Sequence, residues 1–190
     1  VASVAFHDKL ASASTDGTLK LWDLACARSS RTIQLTEAAT ALAWVDASVV
    51  CCAAADGAVS TFDVRCDESV VRYDASPTCA LCVVGDRIVA GLEDGNVVVR
   101  DARDLSELDC IDAIHQLGAP VCAIAKSSSG LLATASDDCS VCLLDAATSK
   151  LLRRYVPLHT DYVRGLAFCQ DSLLTAGWDG HLFRLNTATS

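Results

Sequence analysis

Two cysteine pairs carry the spacing of a metal or redox site, Cys79-Ala-Leu-Cys82 and Cys139-Ser-Val-Cys142. Thiolates so spaced hold zinc or exchange disulfides when a turn lets both sulfurs converge. Cys79 and Cys82 lie at an odd separation inside one apolar, strand-like run, so their side chains should point to opposite faces. Cys139 stands at an expected turn, with Cys142 in the strand leaving it; strand packing is the preferred reading there too. A zinc- or thiol-dependent enzyme built on Cys139 and Cys142 is the alternative from that class. His159, Thr175 and Asp179 have the residue types of a hydrolytic triad. The chain contains no G-x-S-x-G, Gly-Lys-Ser/Thr phosphate loop, H-E-x-x-H or dinucleotide fingerprint. No catalytic residue, metal or cofactor is assigned.

The elements that must position these side chains repeat along the chain. Asp16, Asp56, Asp94, Asp138 and Asp179 stand at expected tight turns, spaced 40, 38, 44 and 41 residues apart. Seven positions after each comes Asp23, Asp63, Asp101, Asp145 or Asn186. A constant inner offset inside an elastic period marks one supersecondary unit copied with variable loops. Each unit opens with an apolar strand, such as Thr40–Trp44 or Val163–Phe168, then a second strand rich in small residues. Gly17, Gly57, Gly95 and Gly180 follow the turn aspartate, where a hairpin needs positive φ; Cys139 breaks that rule. The third strand is apolar on both faces, and a more polar fourth strand follows. The repeats are approximately 1–35, 36–74, 75–114, 115–157 and 158–190, in one domain, with nineteen strands expected. Four-stranded antiparallel units covered on both faces describe the blades of an all-β propeller.

Composition narrows the function. The net charge of −9 over 190 residues argues against a nucleic-acid partner, which would draw on clustered Lys and Arg. No apolar run reaches the roughly eighteen residues that cross a bilayer, so no membrane role is expected. The eleven cysteines are an odd count without a secretory context, and several sit in apolar strands. They point to a reducing compartment, cytoplasm or nucleus. The chain lacks methionine altogether, its first position included, and reads as a segment of something longer.

The run Leu10-Ala-Ser-Ala-Ser-Thr-Asp16-Gly17-Thr-Leu-Lys-Leu-Trp22-Asp23-Leu24 resembles the WD-repeat (WD40) signature. So does His159-Thr-Asp-Tyr-Val163 followed by Leu174-Thr175-Ala-Gly-Trp178-Asp179-Gly180. The resemblance implies a non-catalytic scaffold that presents a platform to proteins or peptides, as a subunit of a complex. It implies a ring of usually seven blades, of which five are visible here. It also implies a structural hydrogen-bond network of turn Asp, second-strand Ser/Thr, third-strand Trp and a preceding His. Ser12, Asp16 and Trp22 match in the first unit, His159, Thr175 and Asp179 in the fifth, Thr134 and Asp138 in the fourth. Units two and three keep only Asp56 and Asp94. His115 sits two residues too early to match cleanly.

The residues before the repeat aspartates should gather on one rim of the channel, which in the family is often the partner-binding face. Trp178 is notable there, as a large aromatic on a loop tip, where binding anchors are often found. Tyr162 and Asp161 should share its rim, and Glu93 and Asp137 occupy equivalent turn positions. Trp178 either anchors a partner or folds over its own turn. A second reading concerns Asp63-Val-Arg65 and Asp101-Ala-Arg103, which resemble the DWD box of cullin-RING substrate receptors. Arg65 and Arg103 would then meet a ligase adaptor.

Overall fold

The computed structural model describes residues 1–66, 69–73, 76–170 and 172–187. The repeat boundary at 74 and the last three positions of the final repeat, 188–190, lie outside the described residues. Contact density divides the chain into two compact units, Val1–Val89 with Arg100–Glu107, and Ala90–Val99 with Leu108–Ser190.

The described residues form nineteen strands and no helix, so no helix is long and apolar enough to cross a membrane. The first sheet holds β1 (Ser3–Phe6), β2 (Leu10–Ala13), β3 (Thr18–Asp23) and β4 (Arg28–Gln34). The second holds β5 (Ala39–Trp44), β6 (Val49–Ala54), β7 (Ala58–Asp63) and β8 (Ser69–Tyr73). The third holds β9 (Thr78–Val84), β10 (Arg87–Leu92), β11 (Val97–Asp101) and β12 (Glu107–Ile111). The fourth holds β13 (Val121–Lys126), β14 (Leu131–Ser136), β15 (Val141–Asp145) and β16 (Leu151–Tyr155). The fifth holds β17 (Val163–Cys169), β18 (Ser172–Gly177) and β19 (Leu182–Asn186). Every sheet keeps chain order, which is the meander of a propeller blade.

The periodic aspartates explain the constant offset of seven. Asp16, Asp56, Asp94, Asp138 and Asp179 each accept a hydrogen bond from the backbone N–H two residues on, at 2.9–3.0 Å. Asp23, Asp63, Asp101 and Asp145 do the same beyond the third strand, at 2.8–3.1 Å. A carboxylate that mimics a backbone acceptor fixes a turn. The third strand is therefore capped at both ends, and its length sets the spacing.

Period-two packing covers both faces of the second blade. From β6, Val50 and Cys52 join Leu19, Leu21, Leu42 and Trp44 in one core cluster. Cys51 and Ala53, which alternate with them along the strand, join Val83, Ile88 and Leu105 in another. In the second unit Ala133, Ala135, Val141 and Leu143 pack on Val163 and Leu173. Second strands built from Ala and Cys let neighbouring sheets approach closely, and here the cysteine acts as a small apolar filler. Burial pushes the thiols of Cys52 and Cys142 up to about 12, so neither offers a thiolate near neutral pH.

The fourth turn carries the expected irregularity, with Cys139 at φ 65°. A side chain in the left-handed region costs roughly 1 kcal/mol. Among the described residues its sulfur reaches only the Asp137 carbonyl, at 3.8 Å. Cys139→Gly is therefore expected to stabilise the protein by about 1 kcal/mol, read as a rise in denaturant midpoint. An unchanged or lowered midpoint would show that the thiol contributes more than its backbone costs.

Candidate functional site

Two buried polar networks organise the second unit. His159 is 1% exposed. Its Nδ1 lies 3.0 Å from both Asp179 carboxylate oxygens and its Nε2 lies 2.9 Å from Thr175 Oγ1. A carboxylate only accepts, so Nδ1 donates to Asp179, while Thr175 Oγ1 is the partner of Nε2. Asp179 also accepts from the Thr160 and His181 backbone N–H groups, each at 3.0 Å. Phe183 packs edge-on to the imidazole, with ring centres 4.8 Å apart.

The fourth blade repeats this arrangement, which corrects the expectation for His115. Its Nδ1 lies 3.3 Å from Asp138 Oδ1, and its Nε2 lies 2.9 Å from Thr134 Oγ1. Gln116 N–H donates to Asp138 Oδ2 at 2.9 Å, as Thr160 does to Asp179. The two additional residues before β13 are taken up by a turn in which Ala119 N–H donates to the Gln116 carbonyl at 3.0 Å, with Gly118 at φ 79°. Ser140 Oγ adds a 2.6 Å bond to Asp138, and Arg154 Nη2 a 3.1 Å one. Arg154, exposed on β16, is thus tied into the network. Burial raises the carboxyls of Asp138 and Asp179, but their hydrogen bonds outweigh it and hold both well below the usual carboxylate range.

An Asp–His–Thr order can serve nucleophilic catalysis, yet both threonines are buried, at 0% and 1% exposure. In the first blade Trp22 Nε1 donates to Ser12 Oγ at 2.8 Å, with Asp16 holding the turn through Thr18. Among the described residues no three His, Cys, Asp or Glu side chains converge as metal ligands would.

The rim beside these networks carries a different kind of cluster. Trp178 follows β18 and is 65% exposed, while Tyr162, just before β17, is 40% exposed. Their rings are 5.5 Å apart and inclined by 50°, and Trp178 N–H donates to the Tyr162 carbonyl at 2.9 Å. Arg164 joins them, its guanidinium carbon 5.0 Å from the Trp178 ring centre and 5.5 Å from that of Tyr162. Arg164 Nη2 donates to Asp137 Oδ2 and Nη1 to Cys122 Sγ, each at 2.9 Å. Trp178 thus rests against its own blade and still presents most of its surface to solvent.

Arg164 had no signal in the sequence. It is the extra residue of a β-bulge, since Val163 pairs with Gly177 and Gly165 with Ala176. Cys122 occupies the same position in the blade before, between pairs Val121–Ser136 and Ala123–Ala135. Bulges re-aim side chains, and here two of them meet. Asp137 and Tyr162 join Trp178 through Arg164, and Asp161 abuts them by accepting from Tyr162 N–H at 2.8 Å. Glu93 is exposed at its own turn and makes no hydrogen bond or ion pair with this cluster.

In the first unit, the Asp-x-Arg residues border a groove of about 620 Å³ lined by Asp63, Val70 and Arg103 among others. Arg65 turns back on Asp63, with Nε to Oδ1 at 2.9 Å and Nη2 to Oδ2 at 2.5 Å. The Arg65 side chain so bound lowers the Asp63 carboxyl to about 2. Arg103 is exposed, and its backbone N–H donates to Asp101.

The model of the WD domain, G-beta repeat family matches residues 1–23. The chain is 31% identical over 134 residues to methylosome protein WDR77 of Xenopus laevis, covering 65% of this chain and 39% of that protein. It superposes on the crystal structure of the computationally designed Ika8 protein with a TM-score of 0.83 and 25% identity. That match covers 96% of this chain and 57% of the designed one. Five meander sheets with aspartate-capped third strands and the Asp–His–Thr ties agree with these matches, and the chain is similar to WD-repeat proteins.

Proposed function

We propose that the chain is a non-catalytic WD-repeat scaffold that binds a protein partner through the rim around Trp178. The carrying observation is an indole held in place by Tyr162 and Arg164 yet 65% exposed. A rigid aromatic that loses little conformational freedom on binding is a favoured anchor. The relative named a methylosome protein supports membership of a multi-protein complex. The net charge of −9 supports a protein partner over a nucleic acid. Eleven free cysteines, four of them buried, suit a reducing compartment, cytoplasm or nucleus. No observation favours the Asp-x-Arg pairs as a second reading, and Arg65 turns its Nε and Nη2 onto Asp63.

Trp178→Ala is the direct test. Partners recovered with the wild-type protein from a cell extract should fall at least about tenfold, as for a central aromatic anchor. The melting temperature should stay nearly constant, because most of the side chain is already in water. Full recovery with Trp178→Ala would move the binding surface elsewhere.

A further inference from the structure

Resting on that rim reading, the chemistry of the partner can be specified. Arg164 shows what these rings hold: a planar cation over Trp178 at 5.0 Å and Tyr162 at 5.5 Å, with the Asp137 carboxylate 2.9 Å from its Nη2. Guanidinium groups suit such seats because they stack on aromatic faces while donating in their own plane. The seat is not full, since Trp178 keeps 65% of its surface open. Beside it, Asp161 uses Oδ1 for Tyr162 N–H, and its second oxygen carries no hydrogen bond among the described residues.

The local field decides the sign of the visitor. Asp137, Asp138, Asp161 and Asp179 all lie close enough to Cys139 to add to the burial that raises its thiol. The cations nearby are already engaged, Arg164 with Asp137 and Arg154 with Asp138. An anionic group would meet unbalanced carboxylates, and a neutral one would cover Asp161 without replacing its water.

We propose that Trp178, Tyr162 and Asp161 form a receptor for an arginine side chain of a partner protein, stacked on the indole beside Arg164. The partner's guanidinium lies on the open ring surface and donates to Asp161, repeating the geometry of Arg164 and Asp137. Binding weakens as salt rises, because the Asp161 contact is solvent-exposed.

Indole N–H resonances test this on the whole chain. Trp22 and Trp44 donate internally, to Ser12 Oγ and the Ala5 carbonyl, so neither should respond. The Trp178 resonance is identified by its loss in Trp178→Phe. The probes are acetyl-Gly-Arg-Gly-amide and its citrulline and glutamate counterparts. The arginine peptide should shift the Trp178 resonance saturably and bind roughly three- to fivefold tighter than the citrulline peptide. Asp161→Asn, which can still accept from Tyr162 N–H, should reduce that preference toward one. Equal binding of arginine and citrulline, tighter binding of glutamate, or an unmoved Trp178 resonance would overturn the proposal. If partner recovery still collapses in Trp178→Ala while the arginine peptide is ignored, the rim reading stands and the arginine receptor falls. If the peptide binds but recovery survives Trp178→Ala, the receptor stands and the rim reading falls.

Discussion

Gly177→Ala should destabilise the protein by about 3 kcal/mol, a large effect for one methyl group. Gly177 ends β18, and a Cβ there would lie 2.5 Å from His159 Nδ1, 2.9 Å from Asp179 Oδ1 and 3.1 Å from His159 Cγ. None of these atoms can step aside cheaply. The imidazole is buried, bonded at both nitrogens and flanked by Phe183. Asp179 is held by two backbone N–H groups. The methyl must therefore break the His159–Asp179 contact or push β18 off β17, where Gly177 faces Val163. Either outcome leaves buried polar groups without partners, at about 1–3 kcal/mol each. For a chain of this size the loss corresponds to a melting temperature roughly 10 °C lower. Gly165→Ala is the control, because its Cβ would meet the Ala176 methyl at 3.4 Å and the Ala176 carbonyl oxygen at 3.9 Å, both within ordinary reach. If the two variants melt together, the His159 network is not the constraint it resembles.

What was legible in the sequence was what local chemistry fixes. A turn aspartate caps the N–H two residues ahead whatever surrounds it, so the five-fold aspartate pattern alone locates the third strands. The small-residue second strands were legible for a similar reason, since period two alone places Cys51 and Cys52 in different core clusters. Two features were hidden because they depend on space and not on offset. His115 stands two residues early in the repeat, yet the Gln116–Ala119 turn absorbs the excess and returns the ring to Asp138. Arg164 gives no signal in the sequence because a bulge re-aims it toward Asp137, 27 positions away, and Cys122, 42 positions away. Trp178 is expected at a loop tip and is 65% exposed, but the cation beside its ring cannot be read from its neighbours in sequence.

The corrected role of His115 leads to the second large effect. Asp138→Asn should cost about 3 kcal/mol at neutral pH, since it removes a charge-assisted acceptor shared by His115, Ser140, Arg154 and the Gln116 backbone. It should also change the response to acid. The Asp138 carboxyl titrates in the folded protein well below its ordinary value of 3.8. A depressed carboxyl contributes stability that is fully present above the unfolded pKa and is lost as pH falls toward the folded one. Stability should therefore be nearly flat from neutral pH down to about 5 and decline steeply below about 4. One proton of that decline, about 1.4 kcal/mol per pH unit at its steepest, belongs to Asp138 and should vanish in the asparagine variant. Other depressed carboxyls, Asp179 and Asp63 among them, keep a residual acid slope in both proteins, so the difference between them is the quantity to measure. Denaturant titrations from pH 7 to pH 2.5, followed by amide exchange in β14 and β15, would report it locally as well as globally. A variant that matches the wild type at pH 7 and keeps the full acid slope would mean that Asp138 is solvated, and that the His115 ring is held by Thr134 and Ser140 alone.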